Sequence, residues 1–393
     1  MASRLGFDAA ATQREFMANL YVRRGLTLTH GEGVELVSDT GERYLDLMSN
    51  YGVNILGYGH PGLEAALIAQ LRALPTLHCS FVNDVRASAS AELARRVNPA
   101  DPGLVYWSNS GAEAVEAALK FAAMATGKRR FVACRGAYHG KTLGALSATW
   151  GAKYREPFEP LLWEFTHVDY GDSAALEAAL DQGAAAFIVE PIQGESGVVV
   201  PPEGYLRSAR QLCTDRGALL ITDEVQSGVG RTGRFLAAEH EGVAADIVCL
   251  GKGLAGGIPV GATVVTRAVG ERLERGAHSS TFGGNPLALA GARFILATLD
   301  AAMLEHVSLT GEAFLAALRS VTHDLVAGAR GRGLMLGLVV SDRRDDILRG
   351  LQKHKVLAVP AGSHVVRFLP PYAIESSHID RAVGALRDTL RGM

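Results

Sequence analysis

The feature that most constrains this chain is a series of short apolar segments that alternate with helical patterns from about residue 104. Six such segments are candidate strands: 104–108, 130–134, 185–190, 218–224, 246–251 and 261–266. Helical patterns separate the first four, among them 111–125 and 204–217. Short apolar strands alternating with helices predict an α/β fold with a mainly parallel sheet that helices cover on both faces.

The flanking regions predict a second, smaller α+β unit. Two alternating segments surround an Asp-Thr-Gly turn within 33–47 and predict a hairpin. Beyond a helical stretch at about 285–320, strands and helices follow in turn, at 333–340, 343–354, 364–370 and 375–391. We therefore predict an N-terminal segment (1–50) packed on the small domain, a large domain (51–300) and a C-terminal small domain (301–393).

Composition excludes several classes of protein. The formal net charge is -2 without a basic block, so a nucleic-acid partner is not expected. No apolar run is long enough to cross a membrane, and the N-terminus is a poor secretory signal. The four cysteines are widely spaced, which favours free thiols in the cytoplasm. No two histidines lie three or four residues apart, so no helical metal pair is predicted.

Ligands of open parallel sheets bind beyond the carboxyl ends of the strands. The residues that follow the candidate strands are polar and glycine-rich: Ser110-Gly111-Ala112, Tyr138-His139-Gly140, Glu190-Pro191, Asp223-Glu224 and Lys252. Lys252 is the one charged residue in the glycine-rich segment 249–262.

Asp223 and Lys252 allow two interpretations. Each follows an apolar strand, so the two side chains could form a structural ion pair. Alternatively, a cofactor lies between them. Asp223 would then hold a protonated pyridine nitrogen, and Lys252 would form a Schiff base with an aldehyde. Burial lowers the pKa of a lysine and so makes its neutral amine available as a nucleophile.

Two further segments are compatible with a flat, phosphorylated ligand. Ser110 and Gly111 precede a helical pattern, where free N–H groups and the helix dipole can bind phosphate. The alternative is an ordinary Ser or Asn cap of the helix, and the two interpretations can be true together. Tyr138 could stack on a cofactor ring, or simply pack in the core.

The segment "GVGRTG" (228–233) matches the glycine fingerprint of dinucleotide-binding folds. That fingerprint normally follows the first strand and opens a helix. Here it follows "DEVQS" in the middle of the chain, and no helical pattern begins at "RTGRF". We therefore predict a flexible loop beside the site.

Six motifs occur in order: "NSGAEAVEAALK", "AYHGKT", "VEPIQGESGV", "LLITDEVQSGVGRTGRF", "GKGLAGGIPVGA" and "HSSTFGGNPLALA". Together they resemble the class III (subgroup II) aminotransferases of pyridoxal 5'-phosphate (PLP) fold type I. The resemblance extends over nearly the whole chain. It is strongest to the acetylornithine aminotransferase branch, including its lysine-biosynthesis counterpart that acts on carrier-bound aminoadipate semialdehyde. This fold has a mainly parallel seven-stranded sheet in the large domain.

The resemblance implies positions for PLP. Lys252 would be the Schiff-base lysine, and Asp223 would pair with the pyridine nitrogen. Other residues would surround the cofactor: Ser110, Gly111 and Ala112 at the phosphate, Val225 and Tyr138 on the two ring faces, Gln226 near the ring hydroxyl, and Glu190 in the network near Asp223. Thr281 would reach the phosphate in the neighbouring subunit, and Ser280 would lie near that subunit's substrate. The active enzyme would therefore be a homodimer with shared sites.

The resemblance also implies the reaction. An amino donor would pass its ω-amino group to 2-oxoglutarate, giving glutamate and a semialdehyde. Arg367 would bind the α-carboxylate of glutamate, and Glu195 would mask Arg367 when the ω-amino substrate enters. The donor would be acetylornithine-like or bound to an amino-group carrier protein, as in arginine or lysine biosynthesis.

Two residues depart from the family pattern and leave the donor open. Lys141 stands where the branch has an arginine that binds the substrate carboxylate, and Ser196 replaces a usual glycine. Free ornithine and 4-aminobutyrate therefore remain alternatives. Within the fold, an aminomutase or a decarboxylase is less favoured. Outside it, the alternatives are an NAD-dependent dehydrogenase, resting only on 228–233, and a binding protein that has lost catalysis.

Overall fold

The computed structural model describes residues 7–393. The strands in this range are β1 (Leu28–Glu32), β2 (Glu35–Ser38), β3 (Arg43–Asp46), β4 (Leu104–Ser108), β5 (Arg130–Cys134), β6 (Glu164–Val168), β7 (Ala186–Val189), β8 (Leu219–Asp223), β9 (Ile247–Leu250), β10 (Gly261–Val265), β11 (Val326–Arg332), β12 (Met335–Val340), β13 (Val356–Leu357), β14 (Val359–Ala361) and β15 (Val365–Phe368). The α-helices are α1 (Ala9–Phe16), α2 (Ser49–Gly52), α3 (Pro61–Ala73), α4 (Asp84–Val97), α5 (Gly111–Thr126), α6 (Leu143–Ala148), α7 (Ala152–Arg155), α8 (Ser173–Leu180), α9 (Tyr205–Asp215), α10 (Arg267–Gly270), α11 (Pro286–Thr298), α12 (Ala301–Arg319), α13 (Arg344–Lys353) and α14 (Ser376–Arg391). Short 3-10 helices span Glu156–Phe158, Ala237–Glu241 and Lys252–Ala255.

The central sheet has seven strands in the order β4-β10-β9-β8-β7-β5-β6. The pairs from β9 to β6 are parallel, and β10 runs antiparallel to both of its neighbours. All six strands predicted from the sequence lie in this sheet. The seventh, β6, is an edge strand whose residues are mostly only partly buried, so it lacks the apolar run that marked the others.

Helices cover both faces of this sheet. On one face, α5 buries an alanine-rich side against the strands, with Phe121 and Phe131 in the same cluster. Ser110 caps its first turn, and Gly127 ends it in the left-handed conformation. On the other face, α8 and α9 pack around Phe187. Burial on both faces explains why β7 is entirely apolar, as expected for parallel strands.

Two smaller sheets complete the structure. One has the order β1-β2-β3-β13 and the other β11-β12-β15-β14. The predicted hairpin is confirmed as the antiparallel pair of β2 and β3. Because β3 pairs with β13 in parallel, the N-terminal segment and the C-terminal region share a sheet. The domain boundaries at residues 50 and 300 stay predictions.

Within residues 7–393, no single helix is long and apolar enough to span a membrane. Taken together, α11 and α12 meet the length and composition expected of a membrane span, but the two helices are bent by 75° relative to each other. The four cysteines are free, as predicted: Cys79 is exposed and the others are buried. No group of three or more His, Cys, Asp or Glu side chains in the same range could hold a metal ion.

Candidate active site

The carboxyl ends of the central strands bring the predicted site residues together. Asp223 is the last residue of β8, Glu190 directly follows β7, and Lys252 follows β9 after one glycine. On this part of the sheet, α5 begins at Gly111. The strand order therefore gathers residues that are more than 140 positions apart in sequence, from Gly111 to Lys252.

Asp223 is held by a histidine that the sequence analysis did not single out. Nδ1 of His139 lies 2.7 Å from Oδ2 of Asp223, and the two side chains are 0% and 5% exposed. The backbone N–H of Val225 donates to the other oxygen at 3.1 Å. Nε2 of His139 is buried without a hydrogen-bond partner in the described part of the chain. This arrangement fixes a buried carboxylate at the end of β8.

Lys252 has features suited to a nucleophilic amine. Burial lowers the pKa of Lys252, and Arg367 adds to the effect, although Glu195, Asp223 and Glu190 oppose it. The residue has a φ of 44°, in the left-handed region that a residue with a side chain enters only at a cost. Such strain is typical of functional sites.

The flanking glycines let three segments approach closely. A Cβ at Gly111 would lie 2.5 Å from Cγ1 of Val225, and a Cβ at Gly251 would lie 3.2 Å from Cα of Gly111. Only glycine allows the start of α5 to pack this tightly against the chain leading to Lys252. The side chain of Val225 occupies the space that a side chain at Gly111 would need.

The N-terminus of α5 presents unpaired donors. The hydroxyl oxygen of Ser110 accepts from the N–H of Glu113 at 3.2 Å, so Ser110 is a helix cap. Among the described residues, the N–H groups of Gly111 and Ala112 donate no hydrogen bond. Free N–H groups at the positive end of a 16-residue helix suit a phosphate group. The Ser110 cap is therefore compatible with the predicted phosphate site at the same end of the helix.

Glu190 contacts the backbone around the site. Its two oxygens accept from the N–H groups of Tyr138 at 2.8 Å and Gly194 at 3.0 Å. Burial raises the pKa of Glu190 to about 7, with His139 lowering it and Asp223 raising it. The charge of Asp223 thus acts on Glu190, and Glu190 positions Tyr138 through a hydrogen bond.

A buried ion pair lies close to Lys252. Nη1 of Arg367 is 2.7 Å from Oε1 of Glu195, and the side chains are 0% and 26% exposed. The same Nη1 donates to Oε1 of Gln226 at 2.9 Å, whereas Nε of Arg367 has no partner in residues 7–393. Burial raises the pKa of Glu195, but Arg367, Lys252 and Gln226 outweigh it, so the net pKa is lowered.

Three predicted residues lie at the periphery. Lys141 is exposed, with Nζ 5.3 Å from the centroid of the Tyr154 ring. Ser280 accepts hydrogen bonds from Asn109 and from the backbone of Gly283, which ties it to the loop before α5. Thr281 is exposed.

The sequence profile described as Aminotransferase class-III matches residues 16–390. The chain belongs to the class III aminotransferases. Acetylornithine aminotransferase of Methanopyrus kandleri is 46% identical over 389 residues, which cover 98% of this chain and 99% of that protein. The LysW-aminoadipate semialdehyde/glutamate semialdehyde transaminase of Sulfurisphaera tokodaii is 40% identical over 374 residues, which cover 94% of this chain and 95% of that protein.

A solved structure agrees in fold with this aminotransferase. It is that of Toxoplasma gondii ornithine aminotransferase with PLP at partial occupancy. The TM-score is 0.92 at 34% identity, and the match covers 98% of this chain and 94% of that one. The fold is therefore that of the PLP-dependent aminotransferases, with the large seven-stranded sheet and smaller sheets that the sequence predicted.

As a class III enzyme, the aminotransferase uses PLP, and its site fits this group. The free N–H groups at the start of α5 suit the phosphate, and buried Asp223 suits a protonated ring nitrogen. Lys252 would hold the aldehyde carbon through its amine. The individual residue assignments, including Val225, Tyr138 and Gln226 around the ring, stay predictions.

Two rival interpretations of the sequence, an NAD-dependent dehydrogenase and a binding protein without catalysis, are wrong. Residues 228–233 form turns rather than the start of a helix, and Arg231 and Thr232 are each only 1% exposed. The segment is a buried loop and not the predicted flexible one. The dehydrogenase interpretation therefore has no phosphate-binding helix, and the family membership identifies a transaminase rather than a binding protein.

Sequence reasoning missed three aromatic or imidazole contacts. His139 holds Asp223, Tyr154 packs edge-on against Tyr138 at 5.7 Å, and the ring of Tyr51 lies 5.7 Å from the guanidinium carbon of Arg367. For His139, the signal was its position directly after Tyr138 in a strand-end loop. Tyr51 and its neighbour Asn50 have φ of 59° and 52°, which a sequence pattern does not reveal.

Proposed function

We propose that this aminotransferase moves the terminal amino group of an ornithine- or lysine-type donor, whose α-amine is blocked, to 2-oxoglutarate. The products would be glutamate and a semialdehyde. The observation that carries this proposal is the ion pair of Arg367 and Glu195, 2.7 Å apart and next to Lys252. A single site must accept two substrates that differ in charge at the reacting carbon.

The pair can meet both requirements. Glutamate carries a carboxylate on its reacting carbon, and a bidentate Arg367 would bind it once Glu195 moves aside. The carbon that bears the terminal amine of the other donor has no carboxylate. Glu195 then neutralises Arg367, because an unpaired buried charge is costly. The unpartnered Nε of Arg367 leaves a donor available for a substrate oxygen.

Lys252 would perform the proton transfers. Its Nζ, with a pKa lowered by burial, would take a proton from the substrate carbon and pass it to the former aldehyde carbon of the cofactor, and the same transfer would run in reverse in the second half of the reaction. Asp223, fixed by His139, would keep the ring nitrogen protonated. PLP, when bound, supplies a ring that accepts the electrons left on the substrate carbon.

The relatives support a blocked donor. Their names specify acetylornithine and LysW-linked aminoadipate semialdehyde, and this chain is 46% and 40% identical to the two described above. Free ornithine is the second candidate, supported by the fold of the Toxoplasma enzyme. Lys141 offers a single ammonium group in place of the planar guanidinium of an arginine. Such a group could bind the carboxylate of either donor.

The test is to follow the absorption of the PLP-loaded enzyme while one amino donor is added at a time. N-acetylornithine should convert the cofactor to its amine form faster than free ornithine or 4-aminobutyrate, and 2-oxoglutarate should reverse the change. Faster conversion by free ornithine would contradict the proposal and favour the second candidate. A carrier-linked donor is tested in the same assay.

We also propose a cytoplasmic homodimer with shared sites. The segment near Ser280 contacts the segment near Cys79, because Sγ of Cys79 lies 3.2 Å from the carbonyl oxygen of Gly283. Around this contact, large apolar residues are exposed in one subunit: Phe81, Val82 and Phe282. A second subunit covering them would bring Thr281 toward the other site. The four free thiols favour the cytoplasm.

A further inference from the structure

Two lysines border a single aromatic ring beside the site. Nζ of Lys141 lies 5.3 Å and Nζ of Lys153 lies 4.6 Å from the centroid of the Tyr154 ring. Lys141 belongs to the loop after Tyr138, and Lys153 belongs to α7.

Neither lysine is compensated within the described residues. No carboxylate lies within 4.0 Å of either amine, and neither donates a hydrogen bond there, although the range contains 17 ion pairs. The neighbouring arginines differ: Arg155 pairs with Glu159 and Arg135 with Asp169. Both lysines are exposed, and two cations without an anionic partner beside one ring form a basic patch that an anionic ligand would complement.

The cationic pair is connected to the cofactor region by aromatic contacts. The Tyr154 ring packs edge-on against Tyr138, with centroids 5.7 Å apart. Arg155 fixes α7 by donating to the carbonyl oxygens of Ser147 at 2.7 Å and Thr149 at 3.1 Å. Lys153 is therefore carried on a short helix that is anchored to the site.

We infer that Lys141 and Lys153 together bind an amino donor with two carboxylates at the end remote from the reacting amine, and that Lys153 is a specificity-determining residue. This inference rests on the proposed function. Lys141 binds the α-carboxylate of the donor, and Lys153 binds a second carboxylate in the group that blocks the α-amine. Glutamate does not need these lysines for its α-carboxylate, because Arg367 is available to that group.

The distinguishing probes are N-acetylnorvaline and N-succinylnorvaline. Both keep the α-carboxylate and lack the terminal amine, so they bind without reacting, and they differ by one carboxylate. We expect calorimetry on the PLP-loaded enzyme to give about fivefold tighter binding of the succinyl compound, which is the effect of one exposed ion pair. The preference should weaken as salt is added.

Variants assign the preference to one residue. Lys153→Gln should bind the two compounds equally, and Lys153→Arg should retain the preference. Lys128→Gln is the control and should behave as wild type, because within residues 7–393 the amine of Lys128 donates only to the carbonyl oxygen of Gly217, at 3.4 Å. Lys141→Gln should weaken both compounds, because they share the α-carboxylate.

Two results would overturn the inference: equal binding of both compounds by the wild-type enzyme, or equal weakening of both by Lys153→Gln. The proposed function is tested separately by turnover of N-acetylornithine and N-succinylornithine. Absence of turnover together with a Lys153-dependent preference would reject the proposed reaction and retain the anion site. Turnover without a Lys153-dependent preference would retain the proposed reaction and reject the anion site.

Discussion

The guanidinium carbon of Arg231 lies 4.7 Å from the centroid of the Tyr372 ring, and both side chains are almost completely buried. Nη1 of Arg231 donates to the carbonyl oxygens of Leu334 at 3.1 Å and Pro370 at 2.5 Å. In return, the hydroxyl of Tyr372 donates to the carbonyl oxygen of Val229 at 2.7 Å. The loop 228–233 therefore connects the end of the active-site strand to the C-terminal region that carries Arg367.

The first prediction concerns this connection. Arg231→Met keeps an extended side chain but leaves two buried carbonyl oxygens without donors and removes the contact of the cation with Tyr372. We expect the free energy of unfolding in urea to fall by about 3 kcal/mol. Arg234→Met, at the exposed arginine that directly follows this loop, should change the free energy of unfolding by less than about 0.5 kcal/mol. Equal small effects of both substitutions would contradict the prediction.

The partners of Arg231 explain where sequence reasoning stopped. Leu334 and Pro370 are 103 and 139 residues away, so no local pattern linked them to the glycine-rich segment. The segment was therefore predicted to be a flexible loop. By contrast, Asp223 and Lys252 could be predicted to lie together, because the edge of a parallel sheet collects the ends of consecutive strands.

Local properties decided which elements could be predicted. Apolar strands such as β7 are buried on both faces and stand out in the sequence, whereas β6 is an edge strand with polar residues. His139 was read only as part of a loop, because its partner Asp223 lies 84 residues later. Tyr154 likewise borders the site through packing, which leaves no mark on spacing or composition.

The second prediction concerns His139. In this contact a carboxylate oxygen is the acceptor and Nδ1 of His139 is the donor. His139→Leu should therefore reduce the affinity for PLP and the rate of the glutamate half-reaction by about tenfold or more, as expected for a lost hydrogen bond to a charge. Equilibrium dialysis and stopped-flow absorption measure the two effects. His167→Leu, at a neighbouring histidine that contacts the Ala148 carbonyl oxygen, should leave both nearly unchanged.

The third prediction concerns pH. Burial raises the pKa of Glu224 to about 7, against opposing hydrogen bonds from Ser227, Ala238 and Ala237. The folded protein thus holds a proton that the unfolded chain releases above about pH 4.5. The contribution of Glu224 to the free energy of unfolding is fully present below about pH 4.5 and is lost as the pH rises through about 7. The free energy of unfolding at saturating PLP should therefore fall by about 1.4 kcal/mol per pH unit from this group alone.

Glu224→Gln isolates this effect. The variant should be less stable at every pH, since its amide cannot accept from all three donors, but its pH slope between 5 and 7 should be shallower than that of wild type. Exposed Glu203→Gln is the control and should retain the wild-type slope. Equal slopes for all three proteins would show that Glu224 is ionised throughout this range.

The fourth prediction tests the shared site. Lys252→Ala removes the amine, and Thr281→Glu would place a carboxylate against the phosphate of the partner subunit. Each homodimer should be inactive. A hybrid dimer of one Lys252→Ala subunit and one Thr281→Glu subunit can be purified through two different tags. One of its sites carries both substitutions and the other carries neither, so the hybrid should show about half of wild-type activity. An inactive hybrid would place Thr281 at its own subunit's site. A hybrid of Lys252→Ala with wild type controls for the tags.

The last prediction separates the two half-reactions. In Glu195→Gln, Arg367 loses the carboxylate 2.7 Å from its Nη1 and keeps its charge. The donor with a terminal amine then meets an unpaired buried cation, so its kcat/KM should fall by about tenfold or more. Glutamate supplies its own carboxylate to Arg367, so its half-reaction should be as fast as in wild type or faster. Single-turnover absorption measures both rates, with exposed Glu274→Gln as the control. An equal loss in both half-reactions would indicate that Glu195 serves the fold rather than the exchange of substrates.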